Sequence, residues 1–247
     1  MFPIFRKEIS GFFSSLSGYL VIITFLLINS LFMWVLPGEW NIFDNGYAGL
    51  DTLFLLSPWV FMFLVPAVTM RMIAEEKRLG TIELIYSRPI TERGIIYGKY
   101  IASVCLVLLA LLPGLVYYFS VYQLGESPGN LDKGGTMGSF IGLFFLASVY
   151  ASAGIFASSL TDNQAIAFIL AVVICFVLFI GFDSFAYLPG LKKLDEFVLR
   201  LGINEHYKSV SRGVIDIKDI IYFMAVAVFF NEATRFRLVS RKWRKKS

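Results

Sequence analysis

Residues 71–99 read Arg71-Met-Ile-Ala-Glu-Glu-Lys-Arg-Leu-Gly-Thr-Ile-Glu-Leu-Ile-Tyr-Ser-Arg-Pro-Ile-Thr-Glu-Arg-Gly-Ile-Ile-Tyr-Gly-Lys99, and they set ten charged side chains between two of the most apolar runs of a 247-residue chain. Charge is scarce elsewhere. The chain is 57% hydrophobic and only 16% charged, with 25 phenylalanines and a mean hydropathy of +0.71. A soluble domain carries roughly 25% charged residues, so lipid is the solvent for most of this chain.

Working outward from the charged segment gives the spans. A bilayer core about 30 Å thick needs about 20 apolar residues per helix. Five runs meet that length: Gly18–Leu36, Thr52–Met70, Tyr100–Tyr122, Phe140–Leu160 and Ala165–Phe182. A sixth, Ile220–Leu238, reaches it only by including Asn231-Glu232-Ala233-Thr234. The expected fold is therefore all-α and integral to the membrane, a single domain of six transmembrane helices with both termini on one side.

Basic residues choose the side, because cytoplasmic loops hold the lysines and arginines. With the N-terminus inside, the inner segments hold fifteen of the 22: Arg6 and Lys7, six in residues 71–99, and seven from Arg235 onward. The outer segments hold seven, six of them in Asp183–Asp219, where six acids offset them. The expected topology is N-in, C-in. The first apolar run is too long for a cleaved signal, and Pro37-Gly38-Glu39-Trp40 offers no small-residue cleavage site. Ahead of it, Phe5, Ile9, Phe12 and Phe13 share one helical face, which predicts an N-terminal interfacial helix over Phe2–Phe13. A plain basic flank to the first span is the alternative.

The charged segment is then the longest cytoplasmic loop. A helix is expected over Ile73–Tyr86, loosened at Gly80 and stopped before Pro89, since the residue ahead of a proline avoids helical geometry. Ile82, Leu84, Ile85 and Tyr86 stand among charges of both signs, as a docking surface requires. A loop folded onto its own membrane domain is the alternative.

The core Ala74-Glu-Glu-Lys-Arg-Leu-Gly-Thr-Ile-Glu-Leu84, with Pro89 ahead of Gly98-Lys99, resembles the first cytoplasmic loop of ABC-2 type permeases. Ser211-Arg-Gly-Val-Ile-Asp-Ile-Lys-Asp219, running into Ile220-Ile-Tyr-Phe223, resembles the outer segment before the last span of the same family. The nearest resemblance within it is to permeases associated with bacterial gliding motility. The resemblance implies an exporter subunit in the bacterial inner membrane, paired with itself or another membrane subunit, whose outer segment caps the exit. It also implies that the first inner loop is a coupling helix held in the groove of a separate ATPase. Glu75, Glu76, Arg78, Gly80, Thr81, Glu83, Leu84 and Tyr86 are the expected coupling residues, with Glu83 nearer the contact centre than Lys77 or Arg78.

Other chemistry is thin. Gly94-Ile-Ile-Tyr-Gly98-Lys99-Tyr100 lacks the spacing of a phosphate loop and the Ser or Thr after lysine. The chain is thus expected to be no enzyme and to hold no cofactor, any ATP being bound by the partner. His206 is the single histidine, with Ser209, Ser211 and Asp216 nearby but no nucleophile motif. Cys105 and Cys175 both lie in apolar runs, and a lone histidine without clustered cysteines makes no metal site. A membrane enzyme, a non-ATP transporter or a structural partner in a motility machine are the rival classes. The first two would keep a charged site within the spans, where spans one to five hold almost no Asp or Glu.

Small residues Gly134, Gly138 and Gly142 recur every fourth position, a pattern for close helix packing within one subunit or against a second. Pro58, Pro66 and Pro113 sit inside spans and are expected to kink them, for gating or only structurally. Asn231 and Glu232 put polar groups in the last span. Pairing of Glu232 with Arg235 near the interface and a place on the transport path are the two readings, since intramembrane charge is expensive.

Overall fold

The computed structural model describes residues 1–87, 89–125, 131–186, 199–213 and 216–244, with side chains described through Ser240. In the outer segment the sequence breaks at Tyr187-Leu188-Pro189-Gly190 and reads as a short amphipathic helix over Leu194–Leu201; the first and most of the second lie outside the described residues. All regular structure among the described residues is helical.

Helix α1 (Phe2–Ser14) ends at an extended Ser15 and turns into α2 (Leu16–Ser30), which continues as a wider π-turn through Val35. A short α3 (Ile42–Asn45) leads to α4 (Asp51–Thr69), which contains Pro58 and Pro66. With one intervening residue, α4 passes into α5 (Arg71–Arg78), followed by α6 (Thr81–Tyr86). Next, α7 (Glu92–Leu111) starts on a Thr91 cap and breaks at Leu112–Gly114 around Pro113 before α8 (Leu115–Leu124). Then come α9 (Lys133–Leu160), α10 (Gln164–Phe176) with a π-turn through Gly181, and α11 (Phe182–Ala186). Helix α12 (Ile203–Ser211) precedes the long α13 (Ile217–Arg244).

Among the described residues, five helical stretches are long and apolar enough to cross a membrane: Leu16–Val35, Asp51–Arg78, Glu92–Leu124, Lys133–Leu160 and Gln164–Phe185. Helix α13 has the length, but Asn231, Glu232, Arg235 and Arg237 fall in its second half. Three of the five stretches, Asp51–Arg78, Glu92–Leu124 and Lys133–Leu160, run well past the apolar runs because helix geometry continues into polar sequence. Thus α7 begins at Glu92, where Thr91 accepts the Gly94 N–H, and α4 extends through α5.

The spine of the fold is α9. At 28 residues it is about 42 Å long at 1.5 Å per residue, and it packs most extensively against α13, α10, α4 and α12. Such crowding needs small side chains, and Ala147, Ala151, Ser152, Ala153, Gly154, Ala157, Ser158 and Ser159 are all buried on it. Its N-terminus is fixed by Asp132, whose carboxylate accepts the N–H groups of Gly134 and Gly135 at 3.0 and 3.1 Å. The opposite faces of α2, α10 and α13 present Leu20, Ile23, Leu27, Ile169, Val173, Ile221 and Met224 outward, as helices facing hydrocarbon do.

Candidate functional site

The charged segment folds as two short helices braced from three directions. Gly80 makes the bend between α5 and α6 at φ +70°, a conformation that L side chains rarely adopt. The inner face of α5 carries Met72, Ile73 and Ala74, each at most 2% exposed, and α6 contributes Ile82 at 6%. Turned outward are Arg78, Leu79, Gly80, Glu83 and Leu84, with Leu79 62% and Leu84 67% exposed. Glu75, Thr81 and Tyr86 are half-buried at the edges of this face.

One brace comes from α9. The first-turn N–H groups of a helix have no partner within it. Ser158 supplies one for α5, its hydroxyl accepting from Ile73 and Ala74 at 3.1 and 3.0 Å while donating to the Met70 carbonyl at 2.7 Å. That uses the full capacity of one hydroxyl. Lys77 reaches the same end of α9, donating to the Ser159 carbonyl and standing 3.8 Å from Asp162. Its side chain is only 6% exposed. Sequence alone places Lys77 on the rim of the surface, whereas the fold turns it inward because the α9 terminus offers its carbonyl there.

The second and third braces come from α7 and α1. Lys99 is 1% exposed, and its ammonium donates to Glu8 Oε1 at 2.7 Å, Glu76 Oε1 at 2.8 Å and the Met72 carbonyl at 2.7 Å. Lys7 adds a second bond to Glu76 Oε1 at 2.7 Å. Three acceptors match the three protons of the buried ammonium, and two carboxylates balance two ammoniums, so the buried charge is compensated. Burial works against the charged Lys7. Its hydrogen bond to Glu76 and the charges of Glu76, Glu8 and Glu75 outweigh that and raise its pKa above the ordinary lysine value. Of the expected coupling residues, Glu76 therefore faces inward at 8% exposure and holds α5 in place.

Sequence reasoning missed Glu8 and counted Lys99 only as a loop charge. A signal was present: Ile4, Glu8 and Phe12 follow at four-residue spacing, placing a carboxylate between the two buried residues of α1. The buried face of α1 runs through Ile4 and Phe12, one position away from the stripe that Phe5 and Ile9 suggested. An open cleft of about 310 Å³ remains between α1 and α5, lined by Lys7, Glu8, Phe12, Arg71, Glu75 and Glu76 among others.

The other singled-out residues also have places. Gly134, Gly138 and Gly142 lie against α12 and the turn after it. A Cβ on Gly138 would meet the Val210 carbonyl at 2.3 Å, one on Gly142 the Tyr207 ring at 3.2 Å, and one on Gly213 the Gly134 carbonyl carbon at 2.7 Å. That contact is within one chain. Asn231 is buried and donates to the Ala227 carbonyl at 2.9 Å. Glu232 accepts from Arg93 at 3.0 Å and Arg235 at 2.9 Å, tying α13 to the start of α7. His206 lies 2.6 Å from Asp219 and 2.9 Å from the Arg200 carbonyl and stacks on Tyr222. No group of three or more His, Cys, Asp or Glu side chains that could hold a metal occurs among the described residues.

A bundle of apolar helices around a small-residue spine, with a charged helical bend at one end, is the architecture of a multi-pass membrane protein. Comparison with curated proteins finds no match. Comparison with protein families matches residues 52–230, from α4 into α13 and more than two thirds of the chain, to the ABC-2 family transporter protein. The chain belongs to the ABC-2 transporter family, whose members are multi-pass membrane permease components that generally carry no ATP site of their own and typically work with an ABC ATPase.

Proposed function

We propose that this chain is the permease subunit of an ATP-binding-cassette exporter and that α5–α6 is its coupling element, docked on a separate ATPase. The observation carrying this reading is the outward face of the bend. Leu79 and Leu84 stand exposed beside Arg78 and Glu83, while Ser158, Lys77 and the Lys99 network hold the opposite face to the bundle. A rigid element with exposed apolar anchors and flanking charges suits binding a soluble partner, where desolvated anchors supply affinity and charges set orientation.

In this reading α13 is the sixth span, both termini are cytoplasmic, and the chain pairs with a second copy or a related membrane subunit in the bacterial inner membrane. Transport is outward, in gliding motility or a related secretion process, and ATP resides wholly in the partner. The α13 polar groups do not oppose a span. Asn231 and Thr234 bond back to carbonyls one turn earlier, and Glu232 is paired with two arginines.

Two experiments test this. Glu83→Lys is expected to reduce ATPase copurification and stimulated hydrolysis at least about tenfold, because reversing one charge at a docking centre adds repulsion to a lost contact. Membrane level and detergent stability should stay at the parental values, since Glu83 is exposed. Full partner binding and stimulation by Glu83→Lys would remove α6 from the coupling role. For topology, a cysteine placed at Lys133 and a tag after Ser247 are expected to react from opposite faces of the membrane. Reaction of both from one face would reject the six-span arrangement.

A further inference from the structure

An α-helix carrying proline loses the N–H that its carbonyl four residues earlier would accept. In α4, Pro58 orphans the carbonyl of Phe54. The hydroxyl of Tyr207, on α12 and 153 residues away, donates to that carbonyl at 2.8 Å in a buried setting. Burial pushes the Tyr207 phenol well above its ordinary pKa, so the hydroxyl keeps its proton. In the same turn of α4, the Ser57 hydroxyl is fully buried without a hydrogen-bond partner.

Elsewhere α12 is held by the burial of Ile203 and Val210 and by bonds to α11 and α13, Asn204 to Asp183 at 2.6 Å and His206 to Asp219 at 2.6 Å. Gly138 and Gly142 give α9 a bare backbone track beneath Val210 and Tyr207, where side chains cannot interlock. Directional bonding of α12 to α4 and α9 comes from Tyr207 and from Ser139, whose hydroxyl donates to the Ser211 carbonyl at 3.3 Å. At its other end α4 runs into α5 and α6 with one residue between. The helix touched by the coupling element is therefore the helix to which α12 is fastened.

We infer that Tyr207 is a latch: its hydroxyl fastens α12 to the proline-made gap in α4, and movement of α4 breaks or remakes that bond to open or close the outer end of the molecule. This rests on the permease reading and its N-in orientation. The Tyr207 bond to α4 can yield while the bonds of α12 to α9, α11 and α13 stay in place, which suits such a device.

The test is a double-mutant cycle with a reporter cysteine at Ser139, which is 4% exposed under α12, after Cys105→Ser and Cys175→Ala. A membrane-impermeant maleimide is applied to intact cells and to inside-out vesicles, and the rate of labelling is read. Tyr207→Phe removes only the hydroxyl and is expected to speed outside labelling about tenfold, the scale of one lost buried hydrogen bond. With Pro58→Ala the residue 58 N–H returns and the Phe54 carbonyl has a partner within α4. Adding Tyr207→Phe to that background should then change the rate less than twofold. An unchanged rate for Tyr207→Phe, or an equal increase in both backgrounds, overturns the latch. Labelling confined to inside-out vesicles overturns the orientation instead, while the ratio of rates still judges the latch.

Discussion

Replacing Lys99 by methionine is expected to cost about 3–5 kcal/mol, because it leaves the largely buried Glu8 and Glu76 carboxylates with only the exposed Lys7 between them. That is a large part of the roughly 5–15 kcal/mol that holds a typical domain folded. In detergent the apparent Tm should fall by about 6–20 °C at the 2–4 °C per kcal/mol usual for this chain length. Lys99→Arg keeps the charge, but its planar fork does not reproduce three acceptors around one nitrogen, so an intermediate loss is expected. Combining Lys99→Met with Glu8→Gln and Glu76→Gln removes the uncompensated charge and should recover most of the loss. A single Lys99→Met variant as stable as the parent would mean that this ammonium is not the buried pivot of α1, α5 and α7.

The second large effect lies where α4 meets α9. A Cβ built on Gly154 comes 2.0 Å from Thr69 Oγ1 and 3.0 Å from Thr69 Cβ. Thr69 cannot simply turn away. It is fully buried, its χ1 is restricted by branching at Cβ, and its hydroxyl donates to the Val65 carbonyl at 3.0 Å. Gly154→Ala is expected to cost about 1–3 kcal/mol by overpacking, and Gly154→Leu to prevent accumulation of folded protein. Since Thr69 stands two residues before α5, the alanine variant should also displace the coupling bend and weaken ATPase capture. Thr69→Ala in the Gly154→Ala background removes the closest atom and should restore most of the detergent stability. A Gly154→Ala variant with parental stability would show that α4 and α9 have slack at this crossing.

The two predictions divide along the line between local and distant information. Hydropathy of a helix is written in consecutive residues, and a membrane demands that each helix satisfy its own backbone, so the five apolar helices could be placed without knowing their neighbours. The bend at Gly80 and the helical character of residues 73–86 were equally local. So was the resemblance to the ABC-2 permeases, which the family comparison supports. The match does not reach down to a gliding-motility subgroup, because a family-wide fold carries no record of the process it serves.

What only the tertiary structure decided are the partners. Lys99 and Glu8 are 91 residues apart, Lys99 and Glu76 are 23, and Tyr207 and Phe54 are 153. No periodicity within one helix names a side chain on another, so a lysine at the head of an apolar run reads as a boundary charge until α1 folds across it. The same holds for Glu76, which sequence counted with the coupling surface and the packing turned inward, and for Glu232, whose pairing with Arg235 was legible within α13 but whose second partner, Arg93 on α7, was not. Sequence determined that this chain is a bundle of membrane helices with a charged helical bend. Which charges face a partner and which hold the bend was decided by the close approach of helices, because burial removes water and leaves each polar group only the neighbours that packing supplies.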